Sequence, residues 1–394
     1  MNILLISDVY FPRINGVSTS IRTFVYQLQK LGHQVTLIAP DYASPKLATK
    51  QATPDEAWIM RIPARGLFFD PEDRLMRMGA VLDQVQHLQK QQYDIIHVHT
   101  PFVAHTLGLR LGKWLNIPVV ETYHTFFEDY LHLYLPIIPK RIARAIARLI
   151  SRRQCNAVDG VISPSQPMLD VLRQYGVQQY AEVIPTGLQQ QSFAKAAPEK
   201  FRQQFAIPQD RPIALYVGRV AYEKNISFLI DMWQHVVKQI PEALLVIAGE
   251  GPAEKSLQQQ CAELGLNQHI QFIGYLDRNT MLNACYRAAD VFVFASLSET
   301  QGLVLLEAMA QATPVVAVAE LGTKSILIEG KGAHIAPLDS QGFAAKVSHL
   351  LRHETERRQL GRAALRYVQH HWTDQVQAEK LLQFYQQVIS TSAT

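Results

Sequence analysis

The stretch DVFVFASLSETQGLVLLEAMAQATPVVAVA, residues 290–319, decides the fold. Its two ends are short apolar runs rich in valine and phenylalanine, which predict two buried β-strands. The apolar segment between them is longer and carries leucine, alanine and methionine, which predicts a helix buried nearly all round. A strand, a helix and a second strand in this order form a right-handed unit with parallel strands. The stretch therefore predicts a parallel sheet covered by helices.

The same alternation of short apolar and longer amphipathic segments runs through both halves of the chain. It begins at the N-terminus, restarts near residue 212, and is interrupted by residues 188–211, which are polar and lack a strand pattern. We therefore expect two Rossmann-like domains, 1–187 and 188–373. The amphipathic C-terminal segment 374–394 is expected to return to the first domain as a helix. Strands are predicted at 2–7, 34–40, 94–99, 118–124, 160–165 and 181–187, and then at 212–219, 243–251, 270–276, 290–296 and 314–319.

Length and composition indicate a globular protein with more than one core. A chain of 394 residues exceeds one ordinary core, and 48% hydrophobic with 18% charged residues excludes disorder. No apolar run reaches the roughly 18 residues of a membrane-spanning helix, and the N-terminus is expected to be a strand and not a signal peptide. The three cysteines lack metal-like spacing and indicate a reducing cytoplasm. The net charge of +4 does not by itself name a partner.

Two basic residues follow the first strand of the second half. In doubly wound sheets ligands bind outside the carboxyl ends of strands, so residues just after strands carry the most information. The segment VGRVAYEKN places Arg219 and Lys224 in one strand-to-helix turn. An arginine fork and a compact lysine charge suit a diphosphate. The alternative is a solvated turn that is basic without a ligand.

Two glycine-containing turns also follow strands. AGEGP, around Gly249, would let the backbone approach a ligand, although such turns are often structural. INGVSTS contains Asn15 and Gly16 in a tight turn, with Ser18 or Ser20 as the expected helix cap, and helix N-termini bind anions. INGVSTS does not have the glycine spacing of a dinucleotide-binding fingerprint, and the second strand does not end in the acidic residue that an NAD site needs.

A histidine ends the predicted strand 118–124. His124 stands beside two threonines, which favours a functional role, whereas a lone histidine is otherwise more often structural. Asp8 ends the first strand and is expected to cap a helix or pair locally.

Two glutamates flank the start of the helix in the opening stretch. Glu299 lies in the loop after a strand, and Glu307 lies inside the helix, where a carboxylate needs a partner. The helix start near Gly302 offers unpaired backbone amides that suit a phosphate. Carboxylates accept hydrogen bonds from sugar hydroxyls, so the arrangement fits one elongated ligand. The alternative is an exposed Glu299 and a Glu307 paired with a buried arginine or lysine.

Together these motifs resemble the retaining family 4 glycosyltransferases of the GT-B fold, over nearly the whole chain. The resemblance rests on NGVSTSIR, TYHT, VGRVAYEKN, GEGP, FIGYL and SETQGLVLLEAMA in their order. It implies an α/β structure with two facing Rossmann-like domains and a deep cleft between them. The first domain would bind the acceptor and the second a nucleotide sugar.

The resemblance also implies roles for single residues. His124, Arg219, Lys224 and Glu299 would be catalytic, with Arg219 and Lys224 on the diphosphate and Glu299 on the donor sugar. Glu307 would bind the ribose hydroxyls. The remaining donor-binding residues would be Gly16, Gly249, Tyr275, Gly302, Leu303 and Val304.

The chain is most similar to the bacterial diacylglycerol glucosyltransferases within this family. The similarity rests on SETQG, INGVSTSIRT and YHTFFEDYLHLYLP. Thr300 and Gln301 depart from the family, since many members carry proline and phenylalanine there. The similarity implies UDP-glucose as donor, a lipid acceptor and a peripheral location on the cytoplasmic membrane face.

A basic segment independently favours contact with a membrane. In PKRIARAIARLISRRQCN, residues 139–156, basic residues recur every four positions and isoleucine and leucine supply an apolar side. Such a helix would lie on an anionic surface, each basic residue contributing roughly 1 kcal/mol; LHLYLPIIP before it would dip into lipid. Alternatively the apolar side packs on the core. Nucleic acid is not expected, because aromatic residues that stack bases are missing. The proposed membrane contacts are Lys140, Arg141, Arg144, Arg148, Arg152 and Arg153.

The expected reaction transfers a hexosyl group with retention and needs neither a cofactor nor an obligatory metal. Its catalysis would be mainly electrostatic, because the leaving group is an anionic diphosphate. Three alternatives stay open: a soluble sugar or polysaccharide acceptor, a nucleotide-sugar epimerase, and a non-catalytic scaffold at the membrane surface.

Overall fold

The computed structural model describes residues 1–42, 57–66, 74–82, 85–126, 128, 139–277 and 281–392. The chain divides into two compact units: Met1–Gly187 together with Asp374–Thr394, and Leu188–Thr373. Each unit has its own hydrophobic core around a parallel sheet. The prediction of an α/β protein with parallel sheets is therefore confirmed.

The first unit contains a sheet of seven parallel strands in the order β3-β2-β1-β6-β7-β8-β9. The order reverses between β1 and β6, so the carboxyl ends of these two strands flank the switch point. The sheet strands are β1 Asn2–Ile6, β2 Gln34–Pro40, β3 Ile59–Ile62, β6 Ile95–Val98, β7 Val119–Thr122, β8 Gly160–Ser163 and β9 Ala181–Val183. A separate antiparallel pair is formed by β4 Ala64–Gly66 and β5 Arg74–Met76.

Helices connect these strands, as the alternating pattern predicts. The helices of the first unit in the described residues are α1 Gly16–Lys30, α2 Met78–Leu82, α3 Val85–Lys90, α4 Val103–Leu115, α5 Lys140–Cys155, α6 Gln166–Gln174 and α14 Asp374–Ser392.

The second unit contains a sheet of six parallel strands in the order β12-β11-β10-β13-β14-β15. Its switch point lies between β10 and β13. The strands are β10 Ile213–Val217, β11 Leu244–Ala248, β12 Ile270–Gly274, β13 Val291–Phe294, β14 Val315–Ala317 and β15 Ala333–Ile335. The helices are α7 Pro198–Gln204, α8 Ile226–Gln239, α9 Glu254–Glu263, α10 Leu282–Ala288, α11 Leu303–Ala310, α12 Ser340–Arg352 and α13 Glu354–His371. One-turn helices occur at Gln190–Phe193, Tyr222–Lys224 and Leu321–Ser325.

The last helix, α14, belongs to the core of the first unit. Phe384 and Tyr385 are fully buried there, and the Phe384 ring stacks on Tyr180 with centroids 5.3 Å apart. Gly160 leaves room for this helix, since a Cβ at that position would come within 2.8 Å of the Phe384 ring. The aromatic side chains therefore hold the C-terminal helix against the first sheet.

The sequence analysis does not predict β3, the β4–β5 pair or β15. Strands β3, β4 and β5 each contain an arginine, which interrupts the apolar run of a buried strand. The three cysteines are buried and free. Among the described residues, no helix has the length and apolar character that crossing a membrane requires.

Candidate functional site

The switch point of the second sheet carries an ion pair. Lys224 lies in the one-turn helix after β10, and Glu299 lies in the loop after β13. The Lys224 Nζ and Glu299 Oε1 atoms are 2.6 Å apart, and 16% and 18% of the two side chains are exposed. The fold thus holds two opposite charges where doubly wound sheets bind ligands.

Arg219 lies on the same loop as Lys224 and is exposed. The core of the unit fixes the backbone of Arg219, because the hydroxyl of buried Tyr216 donates to the Arg219 carbonyl at 3.2 Å. Tyr216 in turn stacks on Phe294 of β13 with centroids 6.0 Å apart. The two strands at the switch point therefore anchor the loop that carries both cations.

The N-terminus of α11 follows Glu299 closely. Gly302 is the N-cap with φ +94° and supplies no side-chain cap, so the first-turn amides of Leu303 and Val304 remain available as donors. A Cβ at Gly302 would meet Leu305 and Thr323 at 3.1 and 3.2 Å, in a conformation that side chains rarely adopt. Glycine is therefore required where this helix begins.

Glu307 is buried inside α11, with 5% of the residue exposed. The hydroxyl of Tyr286, on α10, donates to Glu307 Oε2 at 2.8 Å. This hydroxyl partly offsets the cost of burying a carboxylate. Sequence reasoning missed Tyr286, because no motif links it to a glutamate on another helix.

The glycine turn after β11 is explained by chain packing. A Cβ at Gly249 would lie 1.9 Å from the Gly218 carbonyl oxygen, and one at Gly251 would lie 2.3 Å from the Val220 carbonyl oxygen. Both glycines therefore let the turn approach the loop after β10. Tyr275 follows β12 and is 43% exposed.

In the first unit, His124 lies at the carboxyl end of β7, next to His99 at the end of β6. His99 Nδ1 and His124 Nε2 are 3.1 Å apart. Burial lowers the pKa of His124 to about 4, so its imidazole is neutral at neutral pH. Sequence reasoning named His124 and missed His99, although both follow strands of the same sheet.

Asp8 caps helix α4. Its carboxylate accepts from the Ala104 amide at 3.0 Å and from the Thr100 hydroxyl at 2.8 Å. Burial raises the pKa of Asp8 to about 6, against the lowering effect of these hydrogen bonds. The expectation of a helix-capping role for Asp8 is confirmed, but its partners are 92 and 96 residues away in the chain, so the pairing is not local.

Helix α1 is capped by a residue other than the predicted serines. The Asn15 side chain accepts from the Ser18 amide at 2.8 Å, which makes Asn15 the N-cap. Ser18 donates to the Arg13 carbonyl, and Ser20 accepts from Thr186. The prediction of a serine cap is wrong, because the helix begins at Gly16 and both serines lie inside it. Gly16 itself is exposed.

Helix α5 buries a narrow face of small residues and exposes its isoleucines and leucine. Ala143, Ala147, Ser151 and Cys155, spaced every four residues, are buried. The alternative in which the large apolar side chains pack on the core is therefore wrong. The exposed large apolar residues are Ile142, Ile146, Leu149 and Ile150, at 52%, 37%, 58% and 45% exposure.

Two of the basic residues of α5 have a structural partner. Arg148 binds Glu128 through both Nε and Nη2, at 3.0 and 2.7 Å, and Arg144 Nε lies 3.6 Å from the same carboxylate. Burial opposes ionisation of Glu128, but hydrogen bonds from Arg148 and Tyr175 outweigh it and lower its pKa. Arg141, Arg152 and Arg153 are exposed. The side chain of Lys140 and residues 131–138 lie outside the described residues.

The fold and the strand-end residues define the class of protein. The sucrose-phosphate synthase structure from Thermosynechococcus elongatus matches at a TM-score of 0.79 and 24% identity, over 99% of both chains. Anabaena HepE in complex with UDP matches at 0.75 and 18% identity, over 98% of this chain and 100% of that chain. These structures show that the protein has the GT-B fold of glycosyltransferases.

The sequence comparisons give the family. The model for glycosyl transferases group 1 matches residues 198–367, and that for glycosyltransferase family 4 matches residues 14–191. Alpha-monoglucosyldiacylglycerol synthase of Streptococcus pneumoniae is 36% identical over 326 residues, which is 80% of this chain and 71% of that protein. The chain belongs to the family 4 (group 1) glycosyltransferases.

Proposed function

We propose that this glycosyltransferase moves a hexose, with retention, from a nucleoside diphosphate sugar to a lipid hydroxyl at the cytoplasmic face of a membrane. The preferred donor is UDP-glucose and the preferred acceptor is diacylglycerol. The observation that carries the proposal is the Lys224–Glu299 pair at the switch point, close to the start of α11. The UDP in the HepE structure and the name of the pneumococcal relative support the donor and the acceptor.

The donor is proposed to occupy the loops after β10 and β13. Arg219 and Lys224 bind the diphosphate, together with the first-turn amides of α11. When Lys224 turns to phosphate, Glu299 is released to accept hydrogen bonds from the hexose hydroxyls. The exposed Tyr275 offers the loop against which the base would lie.

The ribose is proposed to bind Glu307. Its carboxylate already accepts a hydrogen bond from the Tyr286 hydroxyl, so ribose hydroxyls would add donors of the same kind.

The proposed chemistry is electrostatic. The bond between the anomeric carbon and the diphosphate oxygen breaks, and the acceptor oxygen forms a bond to that carbon on the same face. The proton of the acceptor hydroxyl passes to the leaving phosphate oxygen. Arg219, Lys224 and the helix amides stabilise the charge that develops on the leaving group. Because these groups supply the positive charge, we expect turnover to persist in the presence of a chelator.

Helix α5 supports the lipid acceptor and the peripheral location. Its four large apolar side chains are exposed beside Arg141, Arg152 and Arg153, a pattern typical of helices that lie in a membrane interface. A helix with only a structural role in this fold would expose less apolar surface.

Transfer assays with site variants test the donor site. We expect Lys224→Ala and Arg219→Ala to lower kcat/KM by about 10²–10³-fold, as loss of one charge-stabilising donor does in other enzymes. Lys238→Ala, an exposed lysine in the last turn of α8, is the matched control and should retain activity. Near-normal turnover in both site variants would contradict the proposal that Arg219 and Lys224 bind the diphosphate.

An acceptor panel tests the reaction. The protein is incubated with UDP-glucose and other labelled nucleotide sugars, with diacylglycerol vesicles, with soluble sugars, or with no acceptor. An α-linked glucolipid formed from diacylglycerol is the expected product, its anomeric configuration read by NMR. Transfer only to soluble sugars would show that the acceptor is a soluble sugar and not a lipid. Donor interconversion without an acceptor would indicate an epimerase, and no turnover with any acceptor would indicate a scaffold.

A further inference from the structure

Three imidazoles lie in a row at the carboxyl edge of the first sheet. His97 belongs to β6, His99 comes directly after β6, and His124 follows β7. The ring centroids of His97 and His99 are 4.0 Å apart, and those of His99 and His124 are 5.4 Å apart with nearly parallel planes. His97 and His99 are buried, with 1% and 2% exposure.

The innermost ring is fixed at both nitrogens. His97 Nδ1 lies 2.6 Å from the Tyr385 hydroxyl on α14, and His97 Nε2 lies 2.6 Å from the Thr122 hydroxyl. Two hydrogen bonds in different directions prevent the ring from flipping or tilting. His97 therefore gives His99 a rigid surface on which to stack.

The middle ring reaches His124 through one nitrogen. His99 Nδ1 lies 3.1 Å from His124 Nε2, and one of these atoms must carry the hydrogen of the bond. His99 Nε2 is buried and has no hydrogen-bond partner in the part of the chain that the structure describes. A buried N–H without an acceptor is rarer and costlier than a bare acceptor nitrogen. The proton of neutral His99 therefore belongs on Nδ1, from which it is donated to His124.

All three rings are neutral at neutral pH. Burial lowers the pKa of His97 to about 3 and that of His124 to about 4, and it lowers the pKa of His99 well below its usual value. In the described residues, no group of three or more histidine, cysteine, aspartate or glutamate side chains is arranged to hold a metal ion. The row thus consists of three neutral rings. Each ring carries its single proton on either Nδ1 or Nε2, and this choice decides which nitrogen donates and which accepts a hydrogen bond.

We infer that His99 is a positioning residue for His124: its Nδ1–H donates to His124 Nε2 and holds His124 in the tautomer that carries its proton on Nδ1. The lone pair of His124 Nε2 is then occupied, so this nitrogen does not act as a general base. The Nδ1 atom of His124 then carries the proton of the neutral ring and is a hydrogen-bond donor. The catalytic importance of this tautomer rests on the function proposed above for His124, whereas the tautomer itself does not.

NMR of ¹⁵N-histidine-labelled protein, without substrate, tests the tautomer. We expect His124, assigned with the His124→Asn variant, to show an unprotonated Nε2 and a protonated Nδ1. In His99→Phe, the donor is lost and His124 should shift toward the opposite tautomer. His99→Asn places an amide near the position of Nδ1 and should restore the original one, whereas His99→Gln should not. A proton on His124 Nε2 in the unaltered protein, or one tautomer in all variants, would overturn the inference.

Kinetics of the same variants test its consequence. We expect kcat to fall at least about tenfold in His99→Phe with little change in the acceptor KM, and His99→Asn to recover part of the loss. Circular dichroism establishes that each variant is folded. If the tautomer shifts as expected and kcat does not change, His99 positions a ring that the reaction does not use, and the role proposed for His124 is wrong. Inactivity of the unaltered protein would reject the proposed function and leave the NMR result standing.

Discussion

At the scale of single residues, the two glutamates of the proposed donor site have a neutral and an oppositely charged partner from other elements. Glu307 has a tyrosine hydroxyl, and Glu299 has the Lys224 ammonium group. A carboxylate that accepts from one hydroxyl can accept further hydrogen bonds from ribose hydroxyls, which have the same chemistry. When the Lys224 ammonium group moves away, the Glu299 carboxylate keeps its negative charge and needs new donors. A ligand with both phosphate and hydroxyl groups suits this pair, because the phosphate binds Lys224 and the hydroxyls donate to Glu299.

The histidine row, in which His97 and His99 are buried and His124 is half-buried, predicts loss of stability in acid. The folded-state pKa values of His97, His99 and His124 are lowered, so protons bind more tightly to the unfolded chain. Their contribution to the free energy of unfolding is complete above about pH 6.5 and decreases below it, by up to about 1.4 kcal/mol per pH unit for each histidine. Asp8, with its pKa raised to about 6, acts in the opposite direction, because its contribution decreases as pH rises through 6.

Urea unfolding between pH 7 and pH 4.5 measures this balance. Three histidines outweigh one aspartate, so the free energy of unfolding should decrease with acidification. The slope against pH should be smaller by about one proton in His99→Phe. A slope that is flat in the unaltered protein, or equal in both proteins, would contradict the burial of these rings as neutral groups.

At the scale of elements, α5 shows how one helix divides its surface into three. Small residues every four positions form the buried face, because alanine, serine and cysteine let the helix approach the unit closely. Arg144 and Arg148 lie toward Glu128, and the isoleucines and Leu149 face solvent. Because two arginines are paired with Glu128, their net contribution to the charge of the surface is reduced.

Vesicle co-sedimentation across a salt series tests the membrane role of α5. The protein should bind vesicles of anionic phospholipid at low salt and dissociate as salt approaches 1 M, where screening is nearly complete. Leu149→Ser should weaken binding about tenfold, because burial of a leucine contributes about 1.5 kcal/mol or more. Leu31→Ser changes an exposed leucine directly after α1 and is the matched control. Equal binding of all three proteins would exclude α5 as the contact.

At the scale of the whole molecule, the two units repeat one plan with different contents. Each sheet is parallel and reverses its order once, next to its first strand. The second unit places the Lys224–Glu299 pair and a helix N-terminus at that point. The first unit places Asp8 and the histidine row at its own strand ends. This difference supports the assignment of the donor to the second unit.

Hydrogen exchange with and without UDP tests that assignment. A ligand at 100 times its Kd stabilises the unit that binds it by about 2.7 kcal/mol. We expect slower exchange within Leu188–Thr373, strongest at the amides of Leu303 and Val304, which lack helix partners and would gain phosphate. Lys224→Ala should abolish the effect at the same UDP concentration. Protection confined to Met1–Gly187 would show that the nucleotide binds the first unit and would contradict the assignment.

The sequence predicted most of the sheet strands and the positions just after them. The strands of a parallel sheet are buried on both faces, so their sequences are continuous apolar runs. Such runs separated by amphipathic segments therefore predict a parallel sheet covered by helices. Strands β3, β4, β5 and β15 were not predicted, and the first three each contain an arginine that interrupts the apolar run. The cap of α1 was assigned to the wrong residue because a helix start is uncertain by a few residues in any sequence pattern.

Partners were decided only by the tertiary structure. Lys224 and Glu299 are 75 residues apart, and His97 and Tyr385 are 288 residues apart. Hydrogen bonds and ion pairs act over a few ångströms, so they depend on how elements pack and not on local pattern. The same holds for α5, whose periodicity shows that an apolar side exists. Whether that side is buried depends on what covers it, and the structure shows it exposed to solvent.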